Sequence, residues 1–148
     1  MSTAISFRRL SALVLMLTPL FAQAEMSPGD PPIRQREGIL VDLKGRGLYN
    51  YDGDWDRTRS LCTDQCRLLW PPIFASAEAK PKGQFTIINR ADGQKQWAYK
   101  GKPLYRWVSD QKRGDAGGEG IMGVWHLVHL PPPIPSMTPA PTKKGGAN

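Results

Sequence analysis

The sequence predicts a mainly β fold, a single small domain of two pseudo-symmetric half-repeats arranged as antiparallel hairpins and a meander. Short runs of aromatic and β-branched residues alternate with turn residues along the middle of the chain, which is typical of strands. Residues 45–54 recur as residues 101–110, with the same first Gly, Leu-Tyr pair and final Asp. Trp70 and Trp125 follow the two copies at nearly equal distances. Because each half is too small to fold alone, we expect the halves to share one core.

Residues 1–24 predict an export signal peptide. Arg8 and Arg9 form a positively charged start, residues 10–21 are a largely apolar run, and Ala22 to Ala24 have the small-x-small pattern of a cleavage site. The apolar run is shorter than the roughly 20 residues that a membrane-spanning helix needs. We therefore expect cleavage near Ala24, a periplasmic or secreted protein, and a mature chain without a transmembrane segment.

Prolines set the expected limits of the folded domain. Residues 25–37 contain Pro28, Pro31 and Pro32 and are predicted to form a flexible linker. Residues 131–148 begin with three consecutive prolines and are predicted to form a disordered Pro-rich tail. The expected β domain therefore spans residues 38–130.

Turn residues divide this domain into strands. Lys44-Gly45 is the expected turn of a first hairpin, and Asp92-Gly93 is a stronger hairpin signal because an Asp-Gly pair accommodates positive φ angles. One short helix or turn, within residues 58–69, carries Cys62 and Cys66. The predicted strands are residues 38–42, 48–51, 85–89, 95–99, 104–107 and 124–128.

Side chains alternate in direction along each copy of the repeated segment. Tyr49 and Tyr51 share one face of their strand, and Tyr105 and Trp107 share the corresponding face of theirs. The final Asp of each copy lies just beyond the strand, where its carboxylate can close a turn by accepting from backbone N–H groups. These aromatic residues either fill the core or form a platform for a ligand. The candidate binding residues are Tyr49, Tyr51, Asp54, Tyr105, Trp107 and Asp110.

Both copies fit the pattern Tyr-x-(Phe/Trp/Tyr)-x-x-Asp, and Cys62-x-x-x-Cys66 followed by Trp70-Pro71-Pro72 lies between them. With these motifs in this order, the chain resembles the secreted-repeat family of small bacterial lipoproteins of unknown function, over roughly residues 38–128. The resemblance implies an exported envelope protein without an established activity. No Cys directly follows the predicted cleavage site, so the lipid attachment point of the lipoprotein members is not expected there.

Cys62 and Cys66 are the only cysteines and are predicted to form a disulfide in an oxidising compartment. Residues four apart on a regular helix hold their Cβ atoms about 5–6 Å apart, whereas a disulfide needs roughly 3.5–4.5 Å. The bridge therefore requires an irregular turn. The alternative is a copper or redox accessory protein, in which Cys62, Cys66 and His126 are the candidate metal ligands.

Enzymatic motifs are scarce. Asp115 and Glu119 could act as paired carboxylates in a carbohydrate-active enzyme, but no motif for a nucleophile, a zinc site or a phosphate-binding loop occurs. The chain carries a formal net charge of +7, yet its basic residues are scattered, so no nucleic-acid partner is expected. The sequence favours a non-catalytic binding module without a cofactor, whose partner is an unknown envelope component or small ligand.

Overall fold

A computed structural model of the protein describes residues 26–56 and 59–132. They form short antiparallel sheets, one helix and one 3-10 turn at Ile121–Gly123, which confirms the mainly β prediction. No helix within these two ranges is long and apolar enough to cross a bilayer. The elements are β1 (Ile33–Arg36), β2 (Ile39–Asp42), β3 (Tyr49–Tyr51), α1 (Asp64–Leu69), β4 (Phe85–Asn89), β5 (Lys95–Tyr99), β6 (Lys102–Pro103) and β7 (Trp125–Leu127).

Strand β1 lies in the segment that the sequence assigns to a flexible linker. It pairs antiparallel with β2 in the register Ile33 to Asp42 and Arg36 to Ile39. Glu37 and Gly38 both have positive φ angles, +48° and +79°, and so form the tight turn that joins the two strands. The prolines of this segment precede β1 and do not interrupt it, so residues 33–36 form a strand within the segment that the sequence assigns to a linker.

The hairpin of β4 and β5 forms as predicted. All five residues of β4 pair with β5, and the Oδ1 atom of Asp92 accepts from the backbone N–H of Gln94 across the turn. Gly93 has a φ of +79°, which explains why glycine follows this Asp. The third strand differs from the prediction, because β6 ends at Pro103.

The two halves pair crosswise. Strand β3 of the first half pairs with β7 of the second half, in the register Tyr49 to Leu127 and Tyr51 to Trp125. Residues 104–108 of the second half in turn run beside residues 69–73 of the first: Arg106 N donates to Pro71 O at 2.9 Å, and Val108 N donates to Leu69 O at 2.9 Å. Each motif strand is therefore completed by the last segment of the other half.

At the centre of this arrangement the two motif strands meet each other. Tyr49 N donates to Tyr105 O at 2.9 Å, and Tyr105 N donates to Tyr49 O at 3.0 Å. This reciprocal pair joins equivalent residues of the two copies. It therefore marks the pseudo-two-fold axis of the fold.

The predicted alternation of side chains is present in both copies, and the two faces contribute to two different hydrophobic clusters. Leu48 and Leu104 lie in one cluster, whereas Tyr49 and Tyr105 lie in the other. Both clusters contain residues of both halves, so the halves depend on each other as expected, although the core is divided in two. The first cluster contains Leu40, Leu48, Ile73, Trp97, Tyr99, Leu104 and Val128, and the second contains Tyr49, Cys62, Trp70, Tyr105 and Trp125.

Candidate functional site

The Tyr and Asp of the repeated motif bond across the two halves. The Tyr49 hydroxyl donates to Oδ2 of Asp110 at 2.6 Å, and the Tyr105 hydroxyl donates to Oδ2 of Asp54 at 2.6 Å. All four residues are at most 4% exposed. Each copy of the motif thus supplies the tyrosine for the aspartate of the other copy, which the spacing within one copy does not reveal.

The second carboxylate oxygen of each Asp holds the loop that follows it. Asp54 Oδ1 accepts from Leu61 N at 2.7 Å, and Asp110 Oδ1 accepts from Gly117 N at 3.0 Å. The predicted contact between each Asp and backbone donors is therefore present. Burial raises the pKa of the Asp54 carboxyl above its usual value, despite the hydrogen bonds from Leu61 and from the tyrosine, which lower it.

Four aromatic rings from the two halves form a continuous stack. Trp70 and Trp125 are nearly parallel at its centre, with ring centroids 3.8 Å apart and an interplanar angle of 5°. Tyr51 stacks on Trp125 at 4.6 Å, and Trp107 packs on Trp70 at 4.4 Å. The matched spacing of the two tryptophans in the sequence thus corresponds to direct contact across the pseudo-two-fold axis.

This packing places most of the predicted binding residues in the interior. Tyr49, Tyr105, Asp54 and Asp110 are buried and bond one another, so in this structure they offer no surface to a ligand. Of the two interpretations of the motif aromatics, core or ligand platform, Tyr49 and Tyr105 therefore fit the first. Of the six candidate binding residues, only Tyr51 and Trp107 are partly exposed, at the two ends of the aromatic stack.

Cys62 and Cys66 form the predicted disulfide. Helix α1 begins at Asp64, after Cys62, so the two cysteines do not lie on one regular helix. Asp64 has a φ of +46°, which is the irregular turn that the bridge was expected to need. The Trp70 N–H donates to Cys66 O at the end of the helix.

A buried arginine supports the disulfide loop. Arg90 is 4% exposed, and its Nη2 donates to Cys62 O at 2.9 Å. Its Nη1 donates to Ser60 Oγ and to Gln96 Oε1, both at 2.7 Å. Ser60 Oγ also lies 2.6 Å from the Tyr105 hydroxyl, so the loop and the central Tyr–Asp pair share one polar network. The sequence gives no sign of this role for Arg90, because Ser60 and Cys62 are 30 and 28 residues away along the chain.

The candidate copper ligands are not gathered in one place. Both sulfurs belong to the disulfide, and no group of three or more His, Cys, Asp or Glu side chains in the described parts of the chain could hold a metal ion. His126 instead contacts carboxylates, with its Nε2 2.9 Å from Asp52 Oδ2 and its Nδ1 3.7 Å from Glu119 Oε1. All three side chains are about half exposed to solvent.

The two carboxylates of the glycosidase alternative hold backbone groups. Asp115 Oδ2 accepts from Gln111 N and Lys112 N, each at 2.8 Å, and these bonds lower the pKa of its carboxyl. Glu119 accepts from the backbone N–H of Leu127. Both side chains therefore fold the loop of the second half, and no contact between the two is present among the described residues.

A cleft lined by cations lies beside the turn between β2 and β3. We call it the basic cleft, and it is defined by Arg34, Arg36, Lys44 and Arg113 around a cavity of about 220 Å³. Arg34 and Arg36 are two residues apart on β1 and so point to the same side of the strand. Asp42 is the only carboxylate in the lining.

One guanidinium nitrogen in the basic cleft is buried without a partner. Arg36 Nε donates to Glu37 Oε1 at 3.1 Å, but Arg36 Nη1 is inaccessible and has no hydrogen-bond partner within the described residues. Asp42 does not supply it, because its Oδ2 accepts from Arg46 Nε at 2.8 Å and its Oδ1 accepts from the backbone N–H groups of Lys44 and Arg46. Arg36 forms an ion pair with Glu37, whereas Arg34, Lys44 and Arg113 form none within the described residues, so the cleft carries an excess of positive charge.

Sequence reasoning missed the basic cleft for two reasons. Arg34 and Arg36 fall in the segment predicted to be a linker, and Arg113 comes from a loop of the other half. The alternating pattern Ile33-Arg34-Gln35-Arg36 was the one available signal, since it is the period-two pattern of a strand with one charged face.

Comparison with known proteins supports the family assignment. Searches of curated proteins and of solved structures give no match. A family model described as a secreted repeat of unknown function matches residues 86–129, a segment that contains the second copy of the motif. The predicted resemblance to a family of secreted repeats of unknown function is therefore confirmed over this half of the fold.

Proposed function

We propose that this protein is an exported, non-catalytic binding module that recognises a negatively charged component of the cell envelope through the basic cleft. Export is supported by the match to a family of secreted repeats. We place the mature protein in the periplasm or outside the cell, after cleavage near Ala24. Mass spectrometry of protein isolated from the native cell tests that cleavage site directly.

The basic cleft is the observation that carries this proposal. Four cationic side chains line the cleft; Arg36 is paired with Glu37, and the carboxylate in the lining, Asp42, is already bonded to Arg46. Clustered cations repel one another, so an anion in the cleft lowers the electrostatic free energy of the folded protein. Arginine binds carboxylate and phosphate groups through paired N–H donors, and the unpartnered Nη1 of Arg36 is one such donor.

The acidic residues considered as candidate site residues bond other parts of the fold. The motif carboxylates accept from tyrosine hydroxyls and backbone N–H groups, and Asp115 and Glu119 accept from the backbone of their own loop or of β7. These contacts support a structural role for the acidic residues. We therefore assign ligand binding to the cations of the basic cleft and not to these acidic residues.

Co-sedimentation of the purified mature protein with cell-envelope fragments tests the proposal. We expect the wild-type protein to sediment with the fragments and to be released as salt concentration rises, because salt screens exposed charges. The variant Arg36→Gln/Arg113→Gln should lose most of this binding. The variant Lys80→Gln/Lys95→Gln is the matched control, since it removes the same number of charges from exposed positions outside the cleft.

Two results would contradict the proposal. One is a wild-type protein that does not bind envelope fragments at low salt. The other is equal weakening in the two double variants, which would mean that net charge, and not the cleft, determines binding. Thermal unfolding of each variant should be recorded beside the binding curve, so that loss of fold is not mistaken for loss of a contact.

A further inference from the structure

A second cavity adjoins the basic cleft at the same turn. We call it the Arg106 cavity, and its volume is about 340 Å³, within the roughly 300–1,000 Å³ range of small-molecule sites. It shares Asp42, Leu43 and Lys44 with the basic cleft, but the rest of its lining has a different character. The apolar part of that lining consists of Pro32, Leu43, Pro72, Ile73 and Phe74.

Arg106 is the polar group that faces this apolar lining. Its backbone N–H donates to Pro71 O at 2.9 Å, which fixes the residue on the segment that crosses between the two halves. The Nε atom of its guanidinium is buried and has no hydrogen-bond partner in the described parts of the chain. An unsatisfied buried donor is costly, so a ligand that accepts from this Nε would be stabilised there.

The charges around Arg106 are not balanced. Arg46 also lines the cavity, but its guanidinium is bonded to Asp42, and Lys44 is exposed to solvent. Burial, followed by the neighbouring charge of Arg46, lowers the pKa of Arg106 below its usual value. Among the described residues Arg106 forms no ion pair, and the neighbouring Asp42, which attracts its partly buried positive charge, is bonded to Arg46.

We propose that the Arg106 cavity binds a single-chain carboxylate with an apolar tail, a molecule of the fatty-acid class. The carboxylate accepts from the guanidinium of Arg106, and the tail lies against Ile73 and Phe74. A carboxylate carries one negative charge and so matches the one uncompensated guanidinium, whereas a phosphate monoester carries nearly two. The apolar lining accounts for the tail, because burying apolar surface is favourable.

This site is separate from the basic cleft and does not depend on the function proposed for it. The two cavities meet at Asp42, Leu43 and Lys44, but their other lining residues differ, and their unpartnered nitrogens belong to different arginines, Arg36 and Arg106. Binding at one can therefore be lost while binding at the other persists. This difference allows the two proposals to be tested separately.

The test is a titration of the mature protein with octanoate, followed by nuclear magnetic resonance of the arginine Nε–H groups and by calorimetry. We expect saturable binding that shifts the Nε–H signal of Arg106. Acetate lacks the tail and 1-octanol lacks the charge, so each should bind more weakly than octanoate. The variant Arg106→Gln should weaken octanoate by about tenfold or more, since it removes a charge-assisted hydrogen bond.

Two further variants locate the site. Phe74→Ala should weaken octanoate several-fold and leave acetate unchanged, because it removes only apolar contact. Arg36→Gln removes an equal charge from the neighbouring basic cleft and should leave the affinity for octanoate unchanged. If Arg106→Gln does not fold, the wild-type Nε–H shift and Phe74→Ala still decide the question.

The proposal is overturned if octanoate does not bind saturably, or if it binds without shifting the Arg106 signal. It is also overturned if acetate or 1-octanol binds as tightly as octanoate, because either the tail or the charge then has no role. Equal weakening by Arg36→Gln and Arg106→Gln would show general attraction to a basic surface. Loss of envelope binding with octanoate binding intact would contradict only the function proposed for the basic cleft.

Discussion

The substitution Tyr105→Phe removes a single oxygen atom from the centre of the pseudo-symmetric network. That hydroxyl donates to Asp54 Oδ2 at 2.6 Å and lies 2.6 Å from Ser60 Oγ. Asp54 is 4% exposed, so water cannot readily replace the lost donor. The aromatic ring itself is retained, and the expected change is therefore confined to hydrogen bonding.

The size of the expected loss in stability follows from the burial of the Asp54 carboxylate. A hydrogen bond to a charged group contributes about 1.5–3 kcal/mol, and leaving a buried charged group unsatisfied costs at least as much. We therefore expect Tyr105→Phe to lower the free energy of unfolding by about 3 kcal/mol. For a domain of this size, that loss lowers Tm by roughly 12 °C or more. Denaturant unfolding followed by tryptophan fluorescence measures both the midpoint and the slope.

Symmetry supplies the matched variant. Tyr49→Phe removes the equivalent bond to Asp110, also 2.6 Å long, and should cost a similar amount. The double variant Tyr105→Phe/Asp54→Asn should lose less than the sum of its two single variants, because the residues act on one contact. A change within about 0.5 kcal/mol for Tyr105→Phe, the size seen at ordinary surface positions, would refute this reasoning.

Three other outcomes follow from the fold. Replacing Cys62 and Cys66 with Ser should lower the free energy of unfolding by about 2 kcal/mol in denaturant titrations, because the closed loop is short; no change would contradict a structural disulfide. Gly118→Ala should cost about 1–3 kcal/mol in the same assay, since an added Cβ would lie 2.8 Å from the ring of Tyr49. Burial is the main cause of the raised pKa values of Tyr49 and Tyr105. Their folded-state pKa values lie above the unfolded value of about 10, so the stability that is present below pH 10 should fall as pH rises further. In a pH titration, the absorbance of their tyrosinate forms should appear only when the protein unfolds.

The local elements of this fold could be predicted from the sequence because each depends on a few residues that are close together in the chain. Asp92-Gly93 fixes its hairpin through a turn of two residues, and the alternation of Leu48 and Tyr49 follows from the period of a strand. The disulfide was expected from the compartment and the presence of exactly two cysteines. Each of these inferences uses residues that are neighbours in the sequence.

The crosswise pairing could not be predicted in the same way. Both copies carry the same Tyr and Asp, so nothing in the sequence distinguishes bonding within one copy from exchange between copies. The cavities were missed for a related reason: what surrounds Arg106 depends on how residues 69–73 pack beside its segment. Strand β1 was missed because the prolines before it resemble those of a linker.

The crosswise pairing of the two halves has a consequence for how the molecule reaches its folded state. A single half would carry a motif strand whose backbone partners belong to another half, and a tyrosine whose carboxylate acceptor is also elsewhere. Such a half could complete itself only by joining a second copy, and its stability would then depend on protein concentration. Because both halves are present in one chain, they pair as an internal dimer, and dilution does not separate them.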